Sequence, residues 1–491
     1  MKRREFFKSA SVAAVSLAGF GSGQLFAEPA KKPNILFIIA DDLGWTDLNC
    51  FGSDFYETPN IDALCEKGMK FTDAYAAAPV CSPTRASIMT GKYPARLNTT
   101  EWFAAPGGEV PIENYRWAVN KPLRTASFKE FLPLDEVTVA EALKQGGYST
   151  FFAGKWHLGA KEKFWPENQG FDINKGGWEV GAPKGDGYFP PYDNPRLEDG
   201  PEGEHLPNRL ADETVQFIKD NKDKPFLAYL SFYSVHTPLM AREDLKEKYE
   251  KKRKELGLKT EYVRDNNRHV RLTHDHAVYA GMVEAMDMAC GKVLNKLKEL
   301  NIEDNTIVFF MSDNGGLSTA KWHPTSNIPL RGGKGWTYEG GIREPMIIKW
   351  PGVAKQGSVC SEPVISNDFY PTMLEMAGLP LKPDQHKDGK SLVPLLKDKK
   401  MDRGPLFWHY PHYSPQGCRP SSVIRDGKWK LILWYEDNRK ELFNLREDIG
   451  EKNNIADKKP EITDRLFNKL LNWFKEVDAE MPQLNPGYKQ K

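Results

Sequence analysis

"NILFIIADDLG", residues 34–44, is the stretch on which the fold class turns. Its apolar run from Ile35 to Ala40 carries no polar alternation and stops at two aspartates. A run of this kind suits a strand covered on both faces, as in a parallel sheet flanked by helices. Three more stretches share the grammar: "YSTFFAGKWHLG" (148–159), "PFLAYLSFYSVHTP" (225–238) and "TIVFFMSDNGG" (306–316). Helical patterns lie between them, at 59–67 behind Thr58-Pro59, at 136–146, at 208–221 and at 274–300. The alternation predicts an α/β fold with a mostly parallel central sheet. In such sheets ligands bind beyond the carboxyl ends of the strands, which is where these runs place their Asp, His, Lys and Asn residues.

From about residue 386 the pattern changes. "SSVIRDGKWKLILWYED" (421–437) and "KELFNLRED" (440–448) read as strands joined by turns, and a helix is expected at 460–478. The expectation is a large α/β domain over 31–385 and a smaller C-terminal α+β domain over 386–491, with antiparallel strands and a terminal helix. The chain's 491 residues, 40% of them hydrophobic, suffice for both. Sixty-eight basic side chains nearly cancel 67 acidic ones, so no global field attracts nucleic acid or an anionic membrane. The charged segment 242–271 reads as a solvated helix or insertion. Cysteines at 50, 65, 81, 290, 360 and 418 have no zinc-site spacing, and which pair, if any, forms a disulfide is left open.

Residues 1–27 read as an export signal: a basic start, a weakly apolar stretch and an Ala27 end. Arg3-Arg4 followed by Phe6 and Phe7 resembles the twin-arginine signal that carries folded proteins out of the bacterial cytoplasm. The mature chain is therefore expected in the periplasm. No other stretch reaches the ~18 apolar residues of a membrane span.

Asp41-Asp42 and Asp313-Asn314 each follow an apolar run directly. Four oxygen side chains from two strand ends suit a hard cation, calcium or magnesium, and not zinc. Lys155, His157, His236 and Lys334 occupy matching positions after other runs or in the Gly-rich loop "RGGKGWTYEGG" (331–341). Cations and proton donors gathered beside a divalent-metal site are what a tetrahedral oxyanion ester requires. In "AAAPVCSPTRASIMTGKYP" (76–94), Cys81 stands at the start of a short helix. Ser82 is the expected N-cap, Pro83 the first helical residue and Gly91 the terminator, with Arg85 at the third helical position. A thiol fits poorly beside an all-oxygen metal site.

These motifs, "NILFIIADDLG", "CSPTRAS", "GKWHLG", "VHTP", "SDNGG" and "RGGKGWTYEGGIREP", together resemble the formylglycine-dependent type I sulfatases of the alkaline phosphatase superfamily. The likeness spans roughly residues 33–350. It implies an alkaline phosphatase-like fold and oxidation of Cys81 to Cα-formylglycine by a formylglycine-generating enzyme that reads "CSPTR". It also implies one calcium ion held by Asp41, Asp42, Asp313 and Asn314 together with residue 81. Arg85, Lys155, His157, His236 and Lys334 carry over as catalytic positions. The resemblance further implies a formylglycine hydrate as nucleophile toward sulfur, His236 or Lys334 protonating the departing alcohol, and His157 taking the proton that regenerates the aldehyde.

Segments 170–206 and 408–432 look like those of bacterial carbohydrate sulfatases acting on sulfated galactose or N-acetylgalactosamine. Trp102, His323, His412 and Arg419 are the candidate sugar-contacting residues, as types that stack on or hydrogen-bond to a saccharide. Two other readings stand beside this one. The first is a phosphodiesterase or phosphonate monoester hydrolase of the same superfamily; the second is a non-catalytic glycan-binding scaffold whose Cys81 stays a thiol.

Overall fold

The computed structural model describes residues 31–104, 109–110 and 118–489. The expected export segment 1–27 lies outside the described residues. The main sheet has eight strands: β1 (Asn34–Ala40), β2 (Met69–Phe71), β3 (Ser149–Gly154), β4 (Ile173–Lys175), β5 (Phe226–Ser231), β6 (Thr306–Ser312), β7 (Met346–Lys349) and β8 (Ser358–Cys360). Their order is β8-β2-β7-β6-β1-β5-β3-β4. Only β7 runs antiparallel to its neighbours, β6 and β2.

β1 sits at the centre and is buried at every position. Leu36, Ile38 and Ala40 enter one apolar cluster, while Ile35, Phe37 and Ile39 enter the other. Two covered faces explain why the run shows no polar alternation. Helices α1 (Pro59–Lys67), α4 (Leu206–Asn221) and α6 (Ala277–Glu299) cover the first face, and α2 (Cys81–Thr90), α3 (Val139–Gln145) and α7 (Phe369–Met376) the second. The charged segment contains helix α5 (Glu243–Glu255), which buries Leu245 and Tyr249, and then a hairpin, Tyr262–Asp265 with Arg268–Arg271.

Strand register sets the functional edge. Ala40 lies opposite Ser312, and Gly154 and Ile39 both lie opposite Ser231. The carboxyl ends of β1, β3, β5 and β6 therefore leave the sheet side by side. A second, antiparallel sheet follows in simple meander order: β9 (Leu406–Tyr410), β10 (Ser421–Asp426), β11 (Trp429–Trp434) and β12 (Arg439–Asn444). The terminal helix α8 (Pro460–Val477) packs Leu466, Leu470 and Trp473 on it. The same apolar cluster takes in Trp336, Tyr338 and Ile342 from the Gly-rich loop, which ties that loop to the second sheet. Among the described residues no helix is long and apolar enough to cross a membrane.

Candidate active site

Helix α2 begins at Cys81 itself, with Val80 as its extended N-cap residue. This corrects the expected cap at Ser82 and the expected first position for Pro83. Pro83 is tolerated at the third helical position because the first-turn N–H groups have no intrahelical partner to lose. Ser82 instead accepts a hydrogen bond from the Phe103 N–H at 3.0 Å. Gly91 closes the helix as expected, at φ 69°, its N–H bonded to Ser87 O at 2.8 Å. Arg85, one turn after Cys81, projects from the same helix face.

The parallel strand ends deliver a buried ionic cluster. Lys155 Nζ lies 2.6 Å from Asp41 Oδ2, and Lys334 Nζ lies 2.6 Å from Asp42 Oδ1. Arg85 holds Asp313 Oδ2 through Nε at 2.8 Å and a terminal nitrogen at 2.7 Å. Its other terminal nitrogen reaches Ser231 Oγ at 2.6 Å and the Lys155 carbonyl at 2.8 Å. Arg85 thus fastens β5, β6 and the Lys155 turn together, while the terminal nitrogen nearest Asp313 is buried without a well-aligned hydrogen-bond partner. Asn314 donates to Asp42 Oδ1 at 2.8 Å, while its own Oδ1 is buried without a hydrogen-bond partner. Cys81 Sγ sits 3.7 Å from Asp41 Oδ1.

Burial sets the proton affinities. It pushes the Asp41 carboxyl up to about 8 against the pull of Lys155, and the neighbouring Asp313 and Asp42 carboxylates push the same way. At Asp42 burial works the same way, but Lys334, His236 and Lys155 overcome it and hold the carboxyl below its ordinary range. Burial also pushes the Cys81 thiol up to about 12, so as a thiol it would be a poor nucleophile near neutrality.

The chemistry of these side chains fits a hard cation: Asp41, Asp42, Asp313 and Asn314 would all offer oxygen, Asp313 Oδ1 and Asn314 both touch Asp42, and the Asn314 Oδ1 is a buried acceptor without a partner, although Asp313 Oδ2 is held by Arg85. Ligand-capable atoms of Asp41, Asp42, Cys81 and His236 lie within 4.8 Å of one another, which adds His236 to the neighbourhood of the expected metal set. A zinc-type site would have only the thiol and this one imidazole to use.

The two histidines are held in opposite tautomers. His157 Nε2 is 2.7 Å from the Phe103 carbonyl, which can only accept; Nε2 therefore carries the proton and Nδ1 is left as a buried lone pair without a partner. His236 Nδ1 is 2.7 Å from the Thr237 carbonyl, which leaves Nε2 facing Asp42 Oδ2 at 3.7 Å. Burial, then Lys334, lowers His236 to about 3, and burial lowers His157 well below the ordinary imidazole range.

Cys81, His157, His236 and Lys334 line one cavity of about 460 Å³. Trp102 stands in its wall, as do Glu179 and Lys184 from the 170–206 segment, Gln416 from the 408–432 segment, and Trp322, which no motif marks in the sequence. His323 is buried directly behind Trp322, the two rings 4.2 Å apart. His412 is fully buried and bonded to Thr100 Oγ1 at 2.8 Å. Arg419 lines neighbouring cavities and pairs with Glu436 at 3.0 Å. The structure therefore brings Trp102 to the cavity and keeps His323, His412 and Arg419 off its lining.

The sulfatase family profile matches residues 33–379. The chain belongs to the sulfatase family. A second profile, described as the C-terminal part of N-sulphoglucosamine sulphohydrolase, matches residues 333–477. Similar curated proteins include the steryl-sulfatase of Homo sapiens, 32% identical over 82% of this chain and 76% of that protein. The N-acetylgalactosamine-6-sulfatase of Canis lupus familiaris is also 32% identical, over 90% of this chain and 78% of its own. Among solved structures, Ps i-CgsB in complex with k-i-k-neocarrahexaose superposes with a TM-score of 0.75 at 30% identity, spanning 90% of this chain and 93% of that one. This sulfatase is a sulfuric ester hydrolase.

Proposed function

We propose that this sulfatase removes sulfate from a sulfated glycan, with galactose or N-acetylgalactosamine sulfates favoured, using a formylglycine made from Cys81 and one calcium ion. The observation that carries the reading is a cavity lined by Cys81, His157, His236 and Lys334, two of which reach directly into the buried cluster behind it: Cys81 Sγ lies 3.7 Å from Asp41, itself paired with Lys155, and Lys334 Nζ lies 2.6 Å from Asp42. Support for a glycan comes from the neocarrahexaose complex of a structural relative and from the N-acetylgalactosamine-6-sulfatase relative. The steryl-sulfatase relative is equally identical, so the substrate must be read by experiment.

Asp41, Asp42, Asp313 and Asn314 would hold the calcium, which when bound supplies fixed positive charge beside the non-bridging sulfate oxygens and favours an ionised oxygen nucleophile. Oxidation of Cys81 supplies, as an aldehyde hydrate, an oxygen where the encoded residue has Sγ. Lys155, which pairs with Asp41, and Lys334, which pairs with Asp42, would be the ammonium groups that hold the sulfate in line for attack. Arg85 positions Asp313. His157 accepts a proton at Nδ1, because its other nitrogen is committed to Phe103. Lys334 or His236 would protonate the departing alcohol; both stand at the cavity wall, but His236, whose Nδ1 proton is committed to the Thr237 carbonyl, would first have to gain a proton at Nε2.

We further propose that Arg3-Arg4 directs the chain to the bacterial periplasm by the twin-arginine route, after a formylglycine-generating enzyme has modified Cys81. Mass spectrometry of the peptide bearing residue 81 is expected to show the aldehyde; a thiol in every molecule would remove the mechanism. A screen of defined sulfated saccharides beside a steroid sulfate is expected to give sulfate release from a saccharide. Release from the steroid alone would replace the substrate class.

A further inference from the structure

The catalytic cavity does not end at its rim. Pro415 lines it together with Gln416, and also lines a second cavity of about 490 Å³ together with Ser414, Gly417 and Cys418 of the same turn, Ser414–Cys418. That turn is closed on itself, with Ser414 N–H bonded to Cys418 O at 3.0 Å and Gly417 N–H to Ser414 O at 2.9 Å. It is also anchored from below, since Trp336 Nε1, two residues after Lys334, donates to Gln416 O at 2.9 Å.

The second cavity holds an excess of positive charge. Lys121, Arg268 and Arg419 line it against one carboxylate, Glu436, which is engaged by Arg419 at 3.0 Å and by Tyr413 Oη at 2.7 Å. Among the described residues neither Lys121 nor Arg268 has a carboxylate within ion-pair distance, although most basic side chains of the neighbourhood do. Arg268 is also seated rather than loose. Its side chain crosses Gly417, where a Cβ would meet Nε at 2.3 Å, and a terminal nitrogen reaches Pro415 O at 3.3 Å. Gly417 has φ 105°, so both the turn and the arginine require glycine there. Tyr488 adds an aromatic wall that is 37% exposed. An ordered guanidinium and an ammonium with no acid partner, beside an aromatic face, suit an anionic sugar.

We infer that this cavity is a subsite for a second sulfated unit of the same glycan chain, which would pass from the catalytic cavity over the Ser414–Cys418 turn to Arg268 and Lys121. The inference rests on the glycan reading above and adds that the enzyme prefers an oligosaccharide bearing more than one sulfate. Short esters would fill the catalytic cavity only.

The test compares the formylglycine-bearing full chain with its Arg268→Ala/Lys121→Ala double variant. Substrates are an aryl sulfate and a length series of one sulfated galactan, from disaccharide to hexasaccharide, with single- and multiple-sulfate members. The native enzyme is expected to gain kcat/KM with length only where a second sulfate is present. The double variant should lose about ten- to a hundredfold in kcat/KM on the long multiply sulfated members, mainly through KM, and keep its rate on the aryl sulfate. Arg268→Lys, which keeps the charge and loses the fork, should fall between. Equal losses on long and short substrates would mark structural damage and overturn the subsite, as would unchanged kinetics at every length. Turnover of the aryl ester with none of any saccharide would overturn the glycan reading first, and the subsite with it.

Discussion

The cluster around Cys81 and the cluster beneath the C-terminal sheet each join three carboxylates to three cations. At the first, Asp41, Asp42 and Asp313 meet Lys155, Lys334 and Arg85. At the second, Asp73, Glu339 and Glu451 meet Arg343, Arg425 and Lys430. Among the described residues the second lines no cavity: Tyr75 Oη donates to Glu339 Oε2 at 2.6 Å, Glu451 accepts the Glu339 N–H at 2.6 Å, and Glu451 Oε1, which makes no hydrogen bond, lies 2.8 Å from the Lys430 ammonium. The first opens on a cavity and keeps unmatched polar atoms, Asn314 Oδ1 and His157 Nδ1. Equal charge inventories therefore serve different ends. A buried ionic group with every partner inside the protein fastens two layers; one with acceptors to spare is arranged for a ligand. The two are also coupled, because the 331–343 loop that carries Lys334 also carries Glu339 and Arg343.

Four changes would break or sharpen this comparison. Cys81→Ala strikes only the open cluster: turnover should fall by at least ~1,000-fold, with the thermal midpoint nearly unmoved. Retained activity would mean that another nucleophile operates. Matched lysine substitutions come next. Lys334→Met should lower kcat by about 100- to 1,000-fold with little loss of stability, whereas Lys430→Met should destabilise by about 3–5 kcal/mol, since Glu339 and Glu451 would be left buried without their cation. Denaturant melts and steady-state kinetics on both variants decide it, and the same profile for both would erase the distinction.

Chelation is the third. Stripping calcium should abolish activity and lower stability by about 3 kcal/mol relative to a metal concentration a hundred times the dissociation constant. Calcium should restore both in the native chain and in Glu451→Gln. Unaltered melting in chelator would argue that the carboxylates of the open cluster need no metal. The smallest effect is on pH dependence. Burial raises the Glu451 carboxyl to about 7, so the folded chain binds a proton there that the unfolded chain has already lost. This group's contribution is full below the ordinary glutamate range and declines as pH rises through about 7. Glu451→Gln should flatten stability between about pH 4.5 and 7 by an amount of the order of 1–3 kcal/mol. An unchanged slope would show that Lys430 keeps Glu451 ionised throughout.

Much of this molecule is legible before folding. β1, β3, β5 and β6 announce themselves because strands buried on both faces need unbroken apolar runs, and the residues that follow them reach the site because parallel strands share a carboxyl edge. The helix at Cys81 is legible too, but its start is displaced: local capping preference favoured Ser82, and packing assigned Ser82 to Phe103 instead. His323 and His412 look like sugar-binding types in the sequence, yet both are buried off the cavity lining, because residue type carries no information on which side of a β-strand or loop faces solvent. Trp322 reaches the cavity from a loop without periodicity or motif, so nothing local marks it, whereas Lys184 falls in the 170–206 segment without any signal of its own.

The sequence by itself determines which groups are available here: a cysteine heading Ser-Pro-Thr-Arg, oxygen donors, and paired lysines and histidines at strand ends, set by residue identity and by position after an apolar run. Tertiary structure decides which partners those groups have. Arg85 is committed to Asp313, His157 to the Phe103 carbonyl, and Lys430 to a closed cluster while Lys334 faces an open one. Such commitments join residues far apart in the chain, and only the packed fold sets the distances and burial on which their electrostatics depend.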